Sequence, residues 1–315
     1  MLTHTQEPLV TVIIPARNAE ATISESIDSV LQQSYGCTEV IVVNDSSSDQ
    51  TARVVEKIAD SRVKLVHGEG KGAAAARNLG MREAQGDFLQ FLDADDLLSR
   101  EKLELQFLAI QDNSHVASCS WMHLKVDGQL LPPSDNGCWR VKSPIEWLSR
   151  SLSGEGMLQT ACWLVPRQVA AKAGPWDETL SLHDDGEYFC RILLASEGNL
   201  FVEGCHVAYR MVNGSLSKIR SRAAVESAFR VCESREKQLL SADTSNTVRR
   251  ALVTQWLQFA YEFHGSAPDL TKLAMKRTSE LKANPHNVIG GKTFRILHRL
   301  MGWKAAYYAH RLLRK

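Results

Sequence analysis

The chain has 315 residues, 44% hydrophobic and 23% charged, which suits one large or two small domains and excludes a mainly disordered polymer. Lys and Arg total 37 against 36 Asp and Glu, a net charge of +1, so no global attraction to nucleic acid is expected. No stretch approaches the roughly 20 apolar residues that span a bilayer, and Met1 to Pro8 lacks the apolar core of a signal peptide.

Val10 to Ile14 is a β-branched run closed by Pro15 and is expected to be a buried strand. Ile23, Ile27, Val30 and Leu31 share one helical face, with Thr22 or Ser24 as its starting cap. Val40 to Val43 is a second strand that ends in the polar loop Asn44-Asp45-Ser46-Ser47-Ser48-Asp49. A helix through Ala52, Val55, Ile58 and Ala59, a strand at Val63 to Val66, a helix at Ala73 to Ala84 and a strand at Phe88 to Leu92 follow. Farther on, Ala161 to Val165 reads as a strand, Tyr188 to Ala195 as a helix, and the pattern is helical from about residue 222. Strands alternating with helices predict an open, mostly parallel α/β sheet covered by helices. The seven cysteines are odd in number, scattered and without a C-x-x-C pair, which argues against a disulfide scaffold or zinc ribbon and for a reducing, cytoplasmic setting.

Ligands of such sheets bind outside the carboxyl ends of the strands, here Pro15 to Asn18, Asp45 to Asp49 and Asp93 to Asp96. In Asp93-Ala94-Asp95-Asp96, three carboxylates fall within four positions, and they stay ionised together only beside a cation or with shifted pKa values. An oxygen-rich cluster suits Mg²⁺ or Mn²⁺ carrying substrate phosphates; the alternative is a solvated loop capping the helix that begins near Ser99. Asp49 is suited to cap the second helix, and Asp45, nearer the strand end, to accept hydrogen bonds from a ligand. Gly70-Lys71-Gly72-Ala73-Ala74-Ala75 matches a dinucleotide fingerprint in form, but follows the third strand rather than the first. Lys71 and Arg77 can instead offset diphosphate charge near a helix N-terminus. A phosphatase-type aspartate dyad belongs on a first strand with a hydroxyl residue following, unlike Asp95-Asp96-Leu97 here.

Four segments in this order and spacing resemble the family 2 glycosyltransferases of GT-A fold. They are Val12 to Asn18, Val42 to Asp49, Gly72 to Gly80 with Ala76-Arg77-Asn78, and Phe91 to Asp96. A fifth, Gly174-Pro175-Trp176-Asp177-Glu178 followed by Asp184-Asp185 and Arg191, is similar to the family's acceptor side. The resemblance implies sugar transfer with inversion from a nucleotide-diphosphate donor, UDP-sugar by default, to a hydroxyl of a glycan or lipid-linked acceptor. It implies that Pro15, Ala16, Asn18 and Asp45 hold the nucleotide, that Asp93 approaches the ribose, and that Asp95 binds Mn²⁺ or Mg²⁺. Asp185 is implied as the base, with Trp176, Asp184 and Arg191 in acceptor-side or supporting roles. Many members carry histidine where this chain has Val212, which puts the metal's third protein ligand in question. The expected division is a donor half at 8–105, an acceptor and base half at 106–221, and a helical extension at 222–315. A noncatalytic sugar-nucleotide or glycan-binding protein and, more distantly, an NAD-dependent dehydrogenase are the competing readings.

After Glu280 no acidic residue occurs, while Lys292, Arg295, Arg299, Lys304, Arg311, Arg314 and Lys315 accumulate. With Phe294, Leu297, Met301, Ala305, Tyr308 and Leu312 at helical spacing, residues 292–315 read either as an interfacial helix on anionic membrane or as a helix packed on the domain.

Overall fold

A computed structural model describes residues 7–132, 137–211 and 221–286, together with Thr293, Ile296, Leu300, Tyr307 and Ala309. The N-terminal alternation folds as β1 (Val10–Ala16), α1 (Ile23–Leu31), β2 (Thr38–Asn44), α2 (Thr51–Glu56), β3 (Val63–His67), α3 (Ala73–Glu83) and β4 (Phe88–Phe91). These strands are parallel in the order β3-β2-β1-β4, with Val10 opposite both Thr38 and Phe88. Their unbroken apolar runs follow from burial on both faces: Val12, Ile13, Ile14 and Val40 to Val43 are all fully buried. The first strand does not stop before Pro15. It continues through Ala16, because β1 ends opposite Val43 and Asn44, where the ladder gives way to a loop.

Small residues bring α3 down onto the sheet. A Cβ at Gly80 would stand 2.4 Å from Ile13 Cγ2, so only glycine permits this helix–strand distance. Gly72, with φ of +98°, makes the turn that launches the same helix.

The rest of the chain adds β5 (Leu97–Leu98), α4 (Lys102–Ala109), β6 (Val116–Leu124), β7 (Leu130–Leu131), α5 (Pro144–Leu152), a 3₁₀ turn at Thr160–Cys162, β8 (Trp163–Pro166), α6 (Arg167–Ala173), α7 (Asp184–Ala195) and β9 (Asn199–Arg210). Beyond β4 the sheet becomes mixed: its order is β3-β2-β1-β4-β8-β6-β9-β5, with β8 antiparallel to β4 and β6, and β9 parallel to β6. One curled sheet therefore runs through both expected halves. Its C-terminal flank is helical, α8 (Arg222–Ala242), α9 (Asn246–Phe263) and α10 (Pro268–Glu280), with Ser221 and Ser245 accepting the amides of Ala224 and Val248 as caps.

All seven cysteines are free thiols, and six of them are buried. No helix among the described residues is long and apolar enough to cross a membrane. Most of the basic, aromatic segment 292–315 lies outside the described residues. Of those described, Ile296 and Leu300 are exposed, while Tyr307 is buried with its ring 4.9 Å from His264.

Candidate functional site

Four loops leave the carboxyl ends of β1 to β4 side by side, and their polar residues hold one another. Asp45 is buried just past β2, and its two oxygens accept the amides of Gly70 (2.8 Å), Lys71 (3.2 Å) and Gly72 (2.8 Å). The glycine-rich loop thus wraps a carboxylate of its own chain, which explains the fingerprint-like spacing without a dinucleotide. Asp45 thereby organises this wall of the crevice through the loop's own amides. Lys71 projects outward, ion-paired with Glu69 at 2.6 Å.

The first two loops lock in the same way. The Asn18 amide donates to Ser47 Oγ at 3.0 Å, and Asn18 Oδ1 accepts the Ser48 amide at 2.8 Å. The Ala16 carbonyl accepts the Asp45 amide at 2.8 Å, and Pro15 precedes it at the strand end. Asp49 accepts the Thr51 amide at 3.0 Å in the turn ahead of α2, but the cap position is held by Gln50 with no side-chain capping bond, so Asp49 is not the helix cap expected of it. Asn18 (φ 52°), Ser46 (φ 55°) and His183 (φ 61°) all adopt left-handed backbone, so three of the non-glycine residues so strained lie in the loops around the site.

The aspartate loop is clamped from both sides. Thr22 Oγ1 donates to the Ala94 carbonyl at 2.8 Å, and Arg210, at the end of β9, donates Nε to the Asp95 carbonyl at 2.8 Å and its amide to Asp96 Oδ1 at 2.9 Å. None of the three aspartates caps the helix that follows, because that helix begins only at Lys102. Burial and the neighbouring Asp93 push the Asp95 carboxyl up to about 6. Asp96 is 2% exposed, and burial beside Asp93 and Asp95 raises it well above the usual carboxylate range. Asp93 is engaged by Arg77 and Asp96 by Arg210, whereas Asp95 receives no side-chain hydrogen bond among the described residues. Arg210, the cation beside it, bonds the Asp95 carbonyl rather than its carboxylate, and this crowded, half-buried carboxylate suits a hard divalent cation such as Mg²⁺ or Mn²⁺.

Arg77 ties this cluster to Trp176 and the acid pair. Its guanidinium is buried over the Trp176 ring, 4.5 Å from the centroid, and donates to Asp93 at 2.8 Å and to Asp184 at 3.0 Å. Burial opposes its charge, yet Asp93 and Asp184 hold it above the ordinary arginine range. Expected beside the diphosphate, Arg77 instead commits both terminal nitrogens to carboxylates 107 and 16 residues away in sequence. Its neighbour Asn78 accepts the Trp176 amide at 2.8 Å and donates to the Trp176 carbonyl at 2.9 Å. Trp176 is 2% exposed and stacks on Tyr188 at 4.0 Å, a supporting position beneath the site.

The acid pair opens α7. Burial raises the Asp184 carboxyl despite Arg77. Asp185 Oδ1 accepts the Gly186 amide at 2.7 Å, and its other oxygen accepts no hydrogen bond from the described residues. Arg191 does not reach the pair. It forks onto buried Glu187 at 2.7 Å and donates to the Ala173 carbonyl at 2.6 Å, so its role is to hold helices together. Glu187 also accepts Ser234 Oγ at 2.9 Å and Gln238 Nε2 at 3.0 Å, pinning α7 to α8.

Sequence reasoning passed over Arg210 and Glu187. For Arg210 a usable signal existed, a cation in the Tyr209-Arg210-Met211 segment available to neutralise three aspartates. Glu187 had none, being indistinguishable by sequence from an ordinary first-turn acid. Val212 lies outside the described residues. His206 is paired through its backbone with Ser99, and His183 heads α7.

A parallel four-strand sheet extended by mixed strands, with an aspartate cluster at its carboxyl edge and an acid pair facing it across a buried arginine, defines a GT-A type α/β protein. The profile of glycosyl transferase family 2 matches residues 11–172, and the chain belongs to this family. It is 48% identical over 107 residues (34% of this chain, 42% of the relative) to the Escherichia coli UDP-Glc:alpha-D-GlcNAc-diphosphoundecaprenol beta-1,3-glucosyltransferase WfgD. It is also 42% identical over 112 residues (34% and 44%) to the putative teichuronic acid biosynthesis glycosyltransferase TuaG of Bacillus subtilis. The matches therefore span less than half the length of these two relatives. Among solved structures, S. aureus TarS 1-349 shares the fold with a TM-score of 0.67 at 19% identity, covering 97% of this chain and 91% of that one.

Proposed function

We propose that the protein transfers a sugar, with inversion, from a UDP-sugar to a hydroxyl of a glycan or lipid-linked acceptor in cell-surface polysaccharide synthesis. The observation that carries this reading is the Asp93–Arg77–Asp184 bridge, which sets the donor-side aspartates and the acid pair at one site. A relative named for a UDP-glucose donor and a diphosphoundecaprenol-linked acceptor, and TarS crystallised with UDP-GlcNAc, support the substrate class.

In this reading the Asn18 and Ser46–Ser48 loops and Asp45 form the nucleotide wall, and Asp95 holds the divalent metal. That metal, when bound, offsets charge on the departing diphosphate. Asp185 takes the acceptor's proton with its free oxygen while Gly186 fixes the other. Arg77 anchors Asp184 and so the start of α7, which aims Asp185. Lys71, exposed at the loop tip, is available to the donor once it leaves Glu69.

Thermal unfolding of the full chain with UDP and Mn²⁺, followed by measured UDP release from UDP-glucose, UDP-galactose and UDP-GlcNAc, tests this reading. Stabilisation by UDP only when Mn²⁺ is present, together with release from at least one sugar, is expected. Stabilisation without any release or transfer would instead favour a noncatalytic binding protein.

A further inference from the structure

We infer that Arg235, carried by α8, is a positioning residue for Asp185 and acts on it through Gly186. The inference rests on the reading of Asp185 as the base. Gly186 is the third residue of α7, inside a helix where glycine is less favourable than alanine, so its place there calls for a reason. Arg235 supplies it: a Cβ at Gly186 would stand 2.8 Å from the arginine Cζ and closer still to Nη2. The guanidinium therefore lies against the bare Cα of Gly186, and its Nε donates to the Gly186 carbonyl at 2.9 Å. The amide of the same residue donates to Asp185 Oδ1 at 2.7 Å. Gly186 is thus held on its carbonyl side by α8 and holds the carboxylate on its amide side.

Arg235 belongs to a row of such contacts. Ser227, Ser234, Arg235 and Gln238 fall at helical spacing along one face of α8. Ser227 Oγ accepts the Ser181 and Leu182 amides at 2.8 and 3.0 Å and donates to the Leu182 carbonyl at 3.2 Å. Ser234 and Gln238 hold Glu187. Residues 181–187 are thereby held at both ends, and Arg235 adds the contact on the residue next to Asp185. Within this span His183 keeps left-handed backbone, a conformation that persists only where the surroundings impose it. Among the described residues no carboxylate pairs with Arg235, so its bond to Gly186 is no by-product of an ion pair made elsewhere.

Hydrogen exchange at the start of α7 in the full chain tests the contact, and UDP release from UDP-glucose, UDP-galactose and UDP-GlcNAc with Mn²⁺ tests its effect. Arg235→Met is expected to speed that exchange and to lower kcat about tenfold with the donor KM nearly unchanged. In Gly186→Ala the added methyl displaces the guanidinium while favouring the helix, so kcat falls by a similar factor at an unchanged or higher thermal midpoint. Because both variants remove one contact, their losses do not multiply when combined. Arg235→Lys, which keeps a cation able to donate to the carbonyl, recovers part of the loss, and Lys237→Met, at an exposed position of α8, behaves as wild type. Unchanged exchange in both variants overturns the inference, as does a normal kcat in either, a multiplicative loss in the double variant, or a fall in kcat that tracks a fall in thermal stability. Asp185→Asn separates the two readings: near-normal release from it defeats the base, whereas its loss of release beside normal Arg235 and Gly186 variants defeats the positioning role alone.

Discussion

A carboxyl held at about 6 within a loop of three aspartates binds a cation only after its proton has left. Mn²⁺-dependent UDP binding is therefore expected to fall as pH drops through about 6, and calorimetric titration across that range checks it. The folding linkage has the opposite sign. The folded value of Asp95 lies above its ordinary 3.8, so the metal-free folded chain binds the extra proton between those values and loses stability as pH rises through them. Asp95→Asn is expected to raise metal-free stability above that window by on the order of 1–3 kcal/mol while abolishing the Mn²⁺ effect on UDP affinity. Urea melts at pH 8 with and without Mn²⁺ measure both; an unaltered Mn²⁺ effect removes Asp95 from the metal role. For Asp185→Asn, donor affinity is expected to persist while transfer drops at least about 100-fold, and near-normal turnover with saturating acceptor would place the base elsewhere. Lys102 shows the limit of residue-level reading: a lysine expected at a surface is fully buried, its Nζ donating to Gln90 and Gln106, with burial pushing its pKa down.

Between elements, two contacts set the geometry. Where α3 meets β1, Gly80→Ala forces a methyl into Ile13, and a loss of about 1–3 kcal/mol is expected by denaturant unfolding. Gly36→Ala, with nothing within 4 Å, is the control and should stay close to wild type. Where α3 meets α7, Arg77→Met leaves Asp93 and Asp184 facing each other, partly buried and without their cation. A loss of about 3–5 kcal/mol is expected near neutral pH. Because burial already raises the Asp184 carboxyl, it is the group that protonation can neutralise, and that deficit should shrink in melts at pH 5. A deficit independent of pH would mean that packing against Trp176, rather than charge, carries the effect.

Across the whole molecule, the C-terminal helices are joined to the acid pair through Glu187, Ser234 and Gln238 rather than hung from the end of the chain. The segment beyond them carries the basic run from Lys292 to Lys315, and Ile296 and Leu300 point outward. We propose that it touches anionic membrane, where a lipid-linked acceptor would reside. Sedimentation with phosphatidylglycerol vesicles is expected to capture the full chain, to weaken with salt, and to miss a chain ending at Asn287. Equal capture of the two chains, or of neither, would show that this segment serves packing alone.

The alternation of strands and helices, the strand ends and the loops that carry chemistry were legible from residues 10 to 96, because local periodicity and turn chemistry place them without distant help. The mixed second half was not: β9 enters the sheet beside β6 and β5, pairings between strands far apart in sequence that no local pattern announces. The same division runs through the site. Asp45, Asp95 and Asp185 could be singled out by type and spacing, but whether each faces a ligand or a neighbour depended on contacts made at long range. Asp45 met the Gly70–Gly72 amides, Arg77 met Asp184, and Arg191 met Glu187 and Ala173 rather than the acid pair. Local sequence determined which groups were available. Only the tertiary fold, by bringing charged and polar groups from distant segments out of water together, decided which had to satisfy one another and which remained for substrate.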